Sequence, residues 1–419
     1  MKTTGVLEEL QWRGLVAQHT DGVPALLAGG PASAYIGFDP TGSSLHVGSL
    51  VQIMILVHLQ RAGHRPIALV GGGTGMIGDP SGKSVERQLQ TPEQVAANVA
   101  GIRAQLEHFL EFEGPGAARM RDNADWLNQL SLVDFLRDTG KHFTVNYMLQ
   151  KESVKGRMEA GISFTEFSYM LLQAYDFLEL NRRHGVTFQM GGSDQWGNIT
   201  AGTELIRRSL GAEAHGITMP LITTSAGTKF GKTEAGAVWL DPARTSPYKF
   251  YQFWINTDDR DVGKYLRTFT LLSREEIESL DAATTERPEK REAQRALARD
   301  VTQRLHGEGA VRAADEVSGL LFGGLDPASL SKEAVEALRE EIPSFKAASL
   351  TEPQAVIDGV TNENGVFKSR GDAKRMVQQG GVYLNGQRVD AELKSVTPLH
   401  GKYVLLRKGA KNYALVEKA

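Results

Sequence analysis

Two segments about 180 residues apart contain residue types that could bind a nucleoside triphosphate. Residues 35–49 supply a hydroxyl, an imidazole and several glycines after an apolar stretch. In the second segment, Lys229 and Lys232 stand three apart in a loop that contains glycine. Lysine is a compact point charge that binds phosphate oxygens. Each segment alone also fits an ordinary strand–helix turn or a basic surface loop, so the nucleotide interpretation depends on the pair.

Two aspartates are candidates for binding other parts of a substrate. Asp79 closes the glycine-rich stretch 73–78, and its carboxylate could bind a cation such as an α-ammonium group. Asp194 follows two glycines, an arrangement that suits a ribose diol. The alternative for both is a structural carboxylate that caps a turn or helix. We reject a dinucleotide interpretation of residues 73–78, because residues 94–100 are helical in character where an acidic residue at a strand end is expected.

A polar stripe lies along the otherwise apolar helical segment 165–180. Tyr169, Gln173 and Asp176 stand at i, i+4 and i+7 and therefore share one face. Polar side chains on so apolar a helix must meet water, a partner or a ligand. The stripe therefore predicts either a binding surface or a solvated helix face.

Short apolar strands would hold these residues in place. Residues 34–38 and 66–70 are predicted strands, and the apolar helix 50–60 lies between them. Such a βαβ unit predicts a parallel sheet. Ligands of parallel sheets bind beyond the carboxyl ends of the strands, where the clusters at 39–41 and 193–195 stand. We therefore expect an α/β fold with one site at that edge.

The composition excludes several classes of protein. A chain of 419 residues predicts two or three domains, and no apolar run is long enough to span a bilayer. The chain has no cysteine, which excludes disulfides and thiolate catalysis and is typical of a reducing cytoplasm. The ten histidines include His46, whose alternative role is that of a core or capping residue. The other nine show no metal-ligand spacing, so no protein-bound metal is expected.

The C-terminal part of the chain has its own charge and pattern. Residues 352–419 carry 11 basic and 7 acidic side chains, whereas the rest of the chain has a net charge of −7. A predicted helix at 372–379 precedes a hairpin marked by Asn385 and Gly386. A basic helix and hairpin favour a polyanionic partner, and the alternative is a small structural domain with a solvated basic face.

The two lysine- and histidine-containing segments resemble the HIGH and KMSKS signatures of class I aminoacyl-tRNA synthetases. The stretches at 35–41, 78–83, 191–198 and 229–233 narrow the resemblance to the bacterial tyrosyl-tRNA synthetase family, over nearly the whole chain. One departure is Ser49 at the fourth signature position, where histidine is usual, so a ribose contact there is altered or supplied by water. The lysine loop has Phe-Gly in place of Met-Ser, as this family does.

The resemblance implies activation of L-tyrosine by ATP and transfer of tyrosine to tRNA(Tyr), with Mg²⁺ as the counterion of ATP. It implies a cytoplasmic homodimer with no membrane association. The residues implied for phosphate contacts in catalysis are Thr41, His46, Lys83, Arg87, Lys229 and Lys232. Those implied for tyrosine are Tyr35, Asp79, Tyr169, Gln173, Asp176 and Gln195. Those implied for ATP are Gly37, Asp39, His46, Gly48, Ser49, Gly192, Asp194 and Lys232. Those implied for tRNA are Lys368, Arg370, Lys374, Arg375 and Arg388, with Tyr383 as a base-stacking residue.

The implied architecture is a Rossmann-like parallel-sheet catalytic domain, a helical domain and a small α+β RNA-binding domain. We expect these at residues 1–222, at 223–325 together with the lysine loop, and at 352–419, after a connector at 326–351. A tryptophan-specific relative is disfavoured by Tyr35 with Asp176 and by the C-terminal domain. A nucleotidylyltransferase would not need that domain, and a non-catalytic RNA-binding protein would not need the two lysines.

Overall fold

The computed structural model describes residues 5–79, 90–158, 161–228, 230–233 and 236–419. The chain divides into two compact units, the first made of Met1–Arg244 and Trp254–Leu305 and the second of Thr245–Phe253 and His306–Ala419. No helix among the described residues is long and apolar enough to cross a membrane.

The elements up to residue 237 are α1 Val6–Trp12, β1 Gln18–His19, α2 Val23–Ala28, β2 Ser33–Phe38, α3 Leu50–Arg61, β3 Arg65–Val70, α4 Pro92–Leu106, β4 Arg119–Asp122, α5 Ala124–Leu127, α6 Leu132–Asp138, α7 Val145–Leu149, α8 Glu152–Met158, α9 Phe164–His184, β5 Phe188–Gly192, α10 Trp196–Leu210, β6 His215–Met219, β7 Lys232–Thr233 and β8 Gly236–Ala237. The remaining elements are α11 Pro247–Ile255, α12 Asp259–Phe269, α13 Arg274–Glu286, α14 Glu292–Phe322, α15 Lys332–Glu341, β9 Ser344–Ala347, α16 Pro353–Gly359, α17 Arg370–Gln378, β10 Val382–Leu384, β11 Gln387–Arg388, β12 Tyr403–Lys408 and β13 Asn412–Lys418.

The first unit is built on a six-stranded sheet with the order β1-β6-β5-β2-β3-β4. All neighbouring strands are parallel except β1 and β6. The predicted βαβ unit is confirmed as β2, α3 and β3, and most side chains of α3 are buried because it packs on the sheet. The chain order changes direction beside β2, which is where open α/β sheets form their ligand crevice.

The helix α9 places the polar stripe inside the protein. Its N-cap is Ser163, whose hydroxyl accepts a hydrogen bond from the backbone N–H of Glu166, and it ends at Gly185 in a left-handed conformation. Phe177, Leu178 and other apolar side chains of this helix pack in the main core of the unit. The stripe therefore does not face bulk water, and the solvated-face alternative is wrong for Tyr169 and Asp176, which are both buried.

The loop that carries the lysine signature is held at the two described residues that follow position 229. Phe230 is buried against the rings of Tyr265 and Phe269, at centroid distances of 4.8 and 5.0 Å. Gly231 has φ of 79°, and a Cβ atom there would lie 2.6 Å from Cγ2 of Val47. Only glycine allows this approach, which brings β7 beside the turn that contains His46.

The second unit contains a five-stranded sheet with the order β11-β10-β12-β13-β9. The predicted hairpin is β10 and β11, with Asn385 at positive φ as its turn requires. Part of the segment that the sequence suggests as a connector belongs to this sheet, because β9 pairs parallel with β13. Its Ala347 and the following Leu350 are buried in the core of the unit.

Candidate active site

A cavity of about 310 Å³ opens beyond the carboxyl ends of β2 and β5, a size typical of small-molecule sites. Most residues that the sequence indicates for tyrosine and ATP line it together. They are Tyr35, Gly37, Asp39, Thr41, His46, Ser49, Asp79, Tyr169, Gln173, Asp176, Asp194 and Gln195.

Six of the residues predicted for tyrosine, ATP or phosphate are not among the lining residues that the structure describes. Gly48 and Gly192 have no room for a side chain. A Cβ atom at residue 48 would lie 2.7 Å from the His46 ring, and one at residue 192 would lie 2.5 Å from the Asp194 carboxylate. Lys83, Arg87 and Lys229 lie outside the described residues. For Lys232 only the backbone, in β7, is described.

The inner end of the cavity is formed by Asp176. Its Oδ1 accepts a hydrogen bond from Nε1 of Trp126 at 2.7 Å, and its Oδ2 accepts one from Nδ2 of Asn123 at 2.9 Å. Burial raises the pKa of Asp176 to about 7, and the two hydrogen bonds oppose that shift because they favour the charged form. This carboxyl group can therefore exist in either protonation state near neutral pH.

Tyr35 faces the same end of the cavity. Its hydroxyl is buried and has no hydrogen-bond partner among the described residues. Burial raises the pKa of Tyr35 well above its usual value, and the neighbouring Asp176 adds to the shift. A buried hydroxyl that lacks a partner costs free energy, so this group indicates a place for a polar ligand atom.

The polar side chains nearer β5 form one hydrogen-bond network. Gln195 donates to Oδ2 of Asp79 at 2.8 Å, and Gln173 donates to Oε1 of Gln195 at 3.2 Å. Asn198 donates to the side-chain oxygens of both glutamines, at 3.1 Å each. The network presents a buried carboxylate and amide oxygens, which are acceptors suited to an ammonium group.

Tyr169 bonds to Asp39, the residue that follows β2. Its hydroxyl donates to Oδ1 of Asp39 at 3.3 Å. Burial raises the pKa of Tyr169 well above its usual value, and Asp39 and Asp79 add to the shift. The hydroxyl therefore stays protonated, and because its proton is donated to Asp39, its oxygen can accept a hydrogen bond from a ligand.

His46 combines a capping role with a place in the cavity lining. Its Nδ1 accepts a hydrogen bond from the backbone N–H of Gly48 at 3.0 Å, which caps the 3-10 turn Val47–Ser49. In the neutral ring, Nε2 is then the protonated nitrogen and can donate. The capping role of this histidine is therefore observed, and its contact with phosphate stays a prediction.

The glycines at 71–75 support the site from behind. The backbone N–H groups of Gly72 and Gly73 donate to the side chains of Asp122 and Asn123, at 2.9 and 2.8 Å. The same Asn123 donates to Oγ of Thr74 and to Asp176. The amides of these glycines therefore hold Asp122 and Asn123 in place, and Asn123 in turn positions Asp176.

The structure adds residues that the sequence did not suggest. Asn123 and Trp126 follow β4, and their only sequence signal is their position after a strand of weak apolar character. Gln189 lies in β5 with its Oε1 buried and without a hydrogen-bond partner among the described residues. Trp239 lines the cavity beside His46, with 6.2 Å between ring centroids.

The described lining is strongly acidic. It contains the carboxylates of Asp39, Asp79, Asp176 and Asp194, and none of the described residues in it is lysine or arginine. Within the same part of the chain, no group of three or more histidine, aspartate or glutamate side chains could hold a metal ion.

The predicted tRNA-binding residues are all exposed in the second unit: Lys368, Arg370, Lys374, Arg375 and Arg388. Arg370 and Lys374 share one face of α17 and line a groove with Lys394. Tyr383 already carries a stacked cation, since the guanidinium of Arg407 lies 4.0 Å from its ring centroid.

Family models match almost the whole chain. Residues 27–323 match the model for tRNA synthetases class I (W and Y), and residues 334–416 match the model for the C-terminal domain of SYY-like tyrosine–tRNA ligases. The chain belongs to the class I tRNA synthetase family.

Whole-length relatives narrow the assignment to one branch of that family. A tyrosine–tRNA ligase of Anaeromyxobacter dehalogenans is 56% identical over 98% of this chain and 99% of its own. One of Bacillus caldotenax is 52% identical over 99% and 100%. A C-terminally truncated mitochondrial tyrosyl-tRNA synthetase of Aspergillus nidulans superposes with a TM-score of 0.70 and 31% identity, over 77% of this chain and 95% of that one. The branch is that of the tyrosine–tRNA ligases.

Proposed function

We propose that this ligase activates L-tyrosine with ATP, giving tyrosyl-adenylate and pyrophosphate, and then transfers tyrosine to the 3′-terminal ribose of tRNA(Tyr). The observation that supports tyrosine is the unpartnered buried hydroxyl of Tyr35 at the end of the cavity closed by Asp176. A phenolic hydroxyl placed there would accept from or donate to both groups. A phenylalanine ring would leave them without a partner.

The other end of the amino acid fits the network near β5. The α-ammonium group would bind Asp79, with Gln173 and the hydroxyl of Tyr169 as further partners, and Gln195 would remain beside the carboxylate. The tyrosine carboxylate is already ionised at neutral pH and attacks the α-phosphorus directly, so the first step needs no general base. Catalysis is then positioning together with stabilisation of charge on the leaving pyrophosphate.

ATP would extend from this point along the segment after β2. Gly37, Asp39, Gly48, Ser49 and Gly192 would border the nucleoside, and Asp194 suits its ribose diol. Thr41 and His46 would meet the phosphates, together with Lys83, Arg87, Lys229 and Lys232. Mg²⁺ would enter with ATP as its counterion.

Amino-acid-dependent exchange of pyrophosphate into ATP tests this function. We expect exchange with tyrosine and none above background with the other standard amino acids. Tryptophan is the informative competitor, since the family model covers both specificities. Exchange that depends on tryptophan, or on no amino acid, would overturn the proposal.

The second unit would supply the tRNA contacts. Its exposed cations on α17 and the hairpin can follow RNA phosphates, as Lys and Arg do in sequence-independent contacts. Because Arg375 pairs with Asp372 at 2.9 Å, we expect Arg370 and Lys374 to contribute more to tRNA binding.

We also propose that the protein functions in a reducing cytoplasm, since the chain contains no cysteine.

We also propose that two copies of this chain associate through the first unit. Large apolar side chains are exposed along the segment from α6 to α9, including Leu132 (72%), Val133 (70%) and Phe164 (77%). A concentration of exposed apolar surface of this kind is typical of a protein interface. Replacing Leu132 and Val133 by aspartate should shift the sedimentation coefficient from dimer to monomer. The same change at Leu210, exposed at the end of α10, is the control and should not.

A further inference from the structure

The acidic character of the cavity leaves part of the proposed chemistry unexplained. ATP carries several negative charges, and the carboxylates of Asp39, Asp79 and Asp194 in the lining would repel them. The described lining offers only the ring of His46 as a group that can become cationic. A positive charge near Thr41 and His46 would add to those proposed above for Lys83, Arg87, Lys229 and Lys232.

Arg244 places such a charge at the rim of the cavity. Its guanidinium carbon lies 3.4 Å from the ring centroid of Trp239, which lines the cavity beside His46. Its Nη1 lies 3.9 Å from the position that a Cβ atom of Gly42, another lining residue, would take. The guanidinium is thus stacked on one wall of the cavity and next to another.

Backbone hydrogen bonds fix the segment that carries Arg244. The backbone N–H of Val47 donates to the carbonyl of Val238, and that of Leu240 donates to the carbonyl of Leu45, both at 2.9 Å. The backbone N–H of Asp241 donates to Oγ of the buried Ser44 at 3.1 Å. These bonds hold the turn before Arg244 against residues 44–47, so its side chain begins from a defined position.

The guanidinium has no competing partner among the described residues. No ion pair or side-chain hydrogen bond joins Arg244 to another described group, and the nearby carboxylate of Asp241 already accepts from the backbone N–H of Ala243 at 2.9 Å. Arginine combines stacking on an aromatic face with a planar fork of donors that matches phosphate oxygens. Stacking orients this fork before a ligand arrives, which lowers the entropy lost on binding.

We propose that Arg244 is a further substrate-contacting residue, which binds the β- and γ-phosphates of ATP and stays with the pyrophosphate as it leaves. The proposal rests on the adenylate-forming function proposed above. Arg244 carries the positive charge into the cavity, and Trp239 positions it.

Single-turnover formation of tyrosyl-adenylate at varied concentrations of MgATP tests this role. Arg244→Ala should raise the apparent Kd of MgATP, and that of pyrophosphate in the reverse reaction, by about tenfold or more. The Kd of tyrosine should not change, because Arg244 lies outside the lining near Tyr35 and Asp176. Arg244→Lys keeps the charge but loses the stacked fork and should give a smaller increase. Arg260→Ala removes another exposed arginine of the same unit, paired with Asp258 at 2.8 Å, and should behave as wild type.

Three results would overturn the role of Arg244. One is unchanged ATP and pyrophosphate affinity in Arg244→Ala. Another is an equal loss of tyrosine affinity, which would indicate a structural role. The third is normal adenylate formation with slower transfer to tRNA, which would assign Arg244 to RNA. In each of these cases wild-type exchange with tyrosine continues, whereas failure of the proposed function would abolish exchange in the wild type as well.

Discussion

Trp126 donates its indole N–H to Oδ1 of Asp176 over 2.7 Å, and both side chains are buried. The indole group has no acceptor capacity and only one donor, so this contact fixes the orientation of the carboxyl group. With Asn123 on the other oxygen, Asp176 is held from behind and presents its remaining lone pairs to the cavity. In the function proposed above, tyrosine recognition would therefore depend on a carboxyl group whose orientation is set by Asn123 and Trp126.

We expect Asp176→Ala and Tyr35→Phe to weaken discrimination between tyrosine and phenylalanine. Polar groups built to bond a hydroxyl are left unpaired by the analogue that lacks it, a principle for which tyrosyl-tRNA synthetases themselves are the standard example. Ratios of kcat/KM for the two amino acids in pyrophosphate exchange measure the effect. A folded Asp176→Ala enzyme with unchanged selectivity would contradict the assignment.

The pH dependence of stability should report the raised pKa of Asp176. In the folded protein this pKa is about 7, above the ordinary 3.8, so the unfolded chain releases the proton at lower pH. The stability contributed by this group is then complete below about pH 4 and lost as the pH rises to about 7. Asp176→Asn cannot ionise, so its Tm relative to wild type should increase over that range. The substitution also removes one hydrogen-bond acceptor of residue 176, which adds a constant difference in Tm that does not change with pH.

Thermal unfolding of both proteins between about pH 4 and pH 8 measures this difference. Asp125→Asn, an exposed change on the neighbouring α5, is the matched control and should show no trend. A Tm difference for Asp176→Asn that stays constant or falls with pH would contradict the direction of the shift.

The lysine loop should affect the chemical step more than amino-acid binding. If Lys232 binds charge that develops on pyrophosphate, Lys232→Ala should slow adenylate formation by about 2–4 kcal/mol in barrier, by analogy with removal of an oxyanion donor. Lys229→Ala should act in the same direction, and the double variant should be less than additive if both bind one phosphate group. Stopped-flow measurement of adenylate formation decides it. A rate equal to wild type would make Lys232 a surface residue only.

A chain that ends at Gly324 should catalyse formation of tyrosyl-adenylate but not transfer of tyrosine to tRNA. The retained part keeps the whole cavity, and α11 stays joined to α14 because the Tyr251 hydroxyl donates to Oδ1 of Asp315 at 2.6 Å. We expect exchange of pyrophosphate to persist and aminoacylation of tRNA(Tyr) to fail, since the basic residues are gone. Binding of tRNA by the full chain should also weaken more steeply with salt.

A chain that ends at Leu350 provides the comparison. It keeps β9 but removes β13, the only strand that pairs with it in the described residues, and it exposes Ala347 and Leu350. We expect this longer chain to aggregate or to be digested between 325 and 350 more readily than the chain ending at Gly324. Equal aminoacylation by the shortened and intact enzymes would instead show that residues 325–419 are not needed for tRNA.

The strands and helices with strong apolar patterns could be predicted from the sequence. Residues 34–38 and 66–70 lie in β2 and β3, and the apolar helix between them is α3. The polar stripe of α9 was also readable, because three positions on one face break an otherwise apolar surface. Motif residues at strand ends then converge on one cavity for topological reasons.

The parts that could not be predicted lack such local signals. β4 has the sequence Arg-Met-Arg-Asp and is a strand only because it completes the sheet beside β3. The sequence therefore did not indicate that Asn123 and Trp126, which follow β4, contact Asp176. β9 contains four residues whose pairing partners lie 71 residues later in the chain, a non-local contact that periodicity does not record. Arg244 has no sequence signal that separates it from other surface arginines, and only the structure shows that it stacks on Trp239.

The approach of Gly231 to Val47 has an evolutionary consequence. The two signature segments lie far apart in the sequence of the first unit. Even so, a single methyl group at position 231 would collide with the side chain of Val47. Because Gly231 also has a φ of 79°, a smaller side chain at 47 would not by itself make room for another residue at 231. We therefore expect glycine to persist at 231 in homologous chains whatever the size of residue 47, since both its own backbone and a segment far away in the sequence require it.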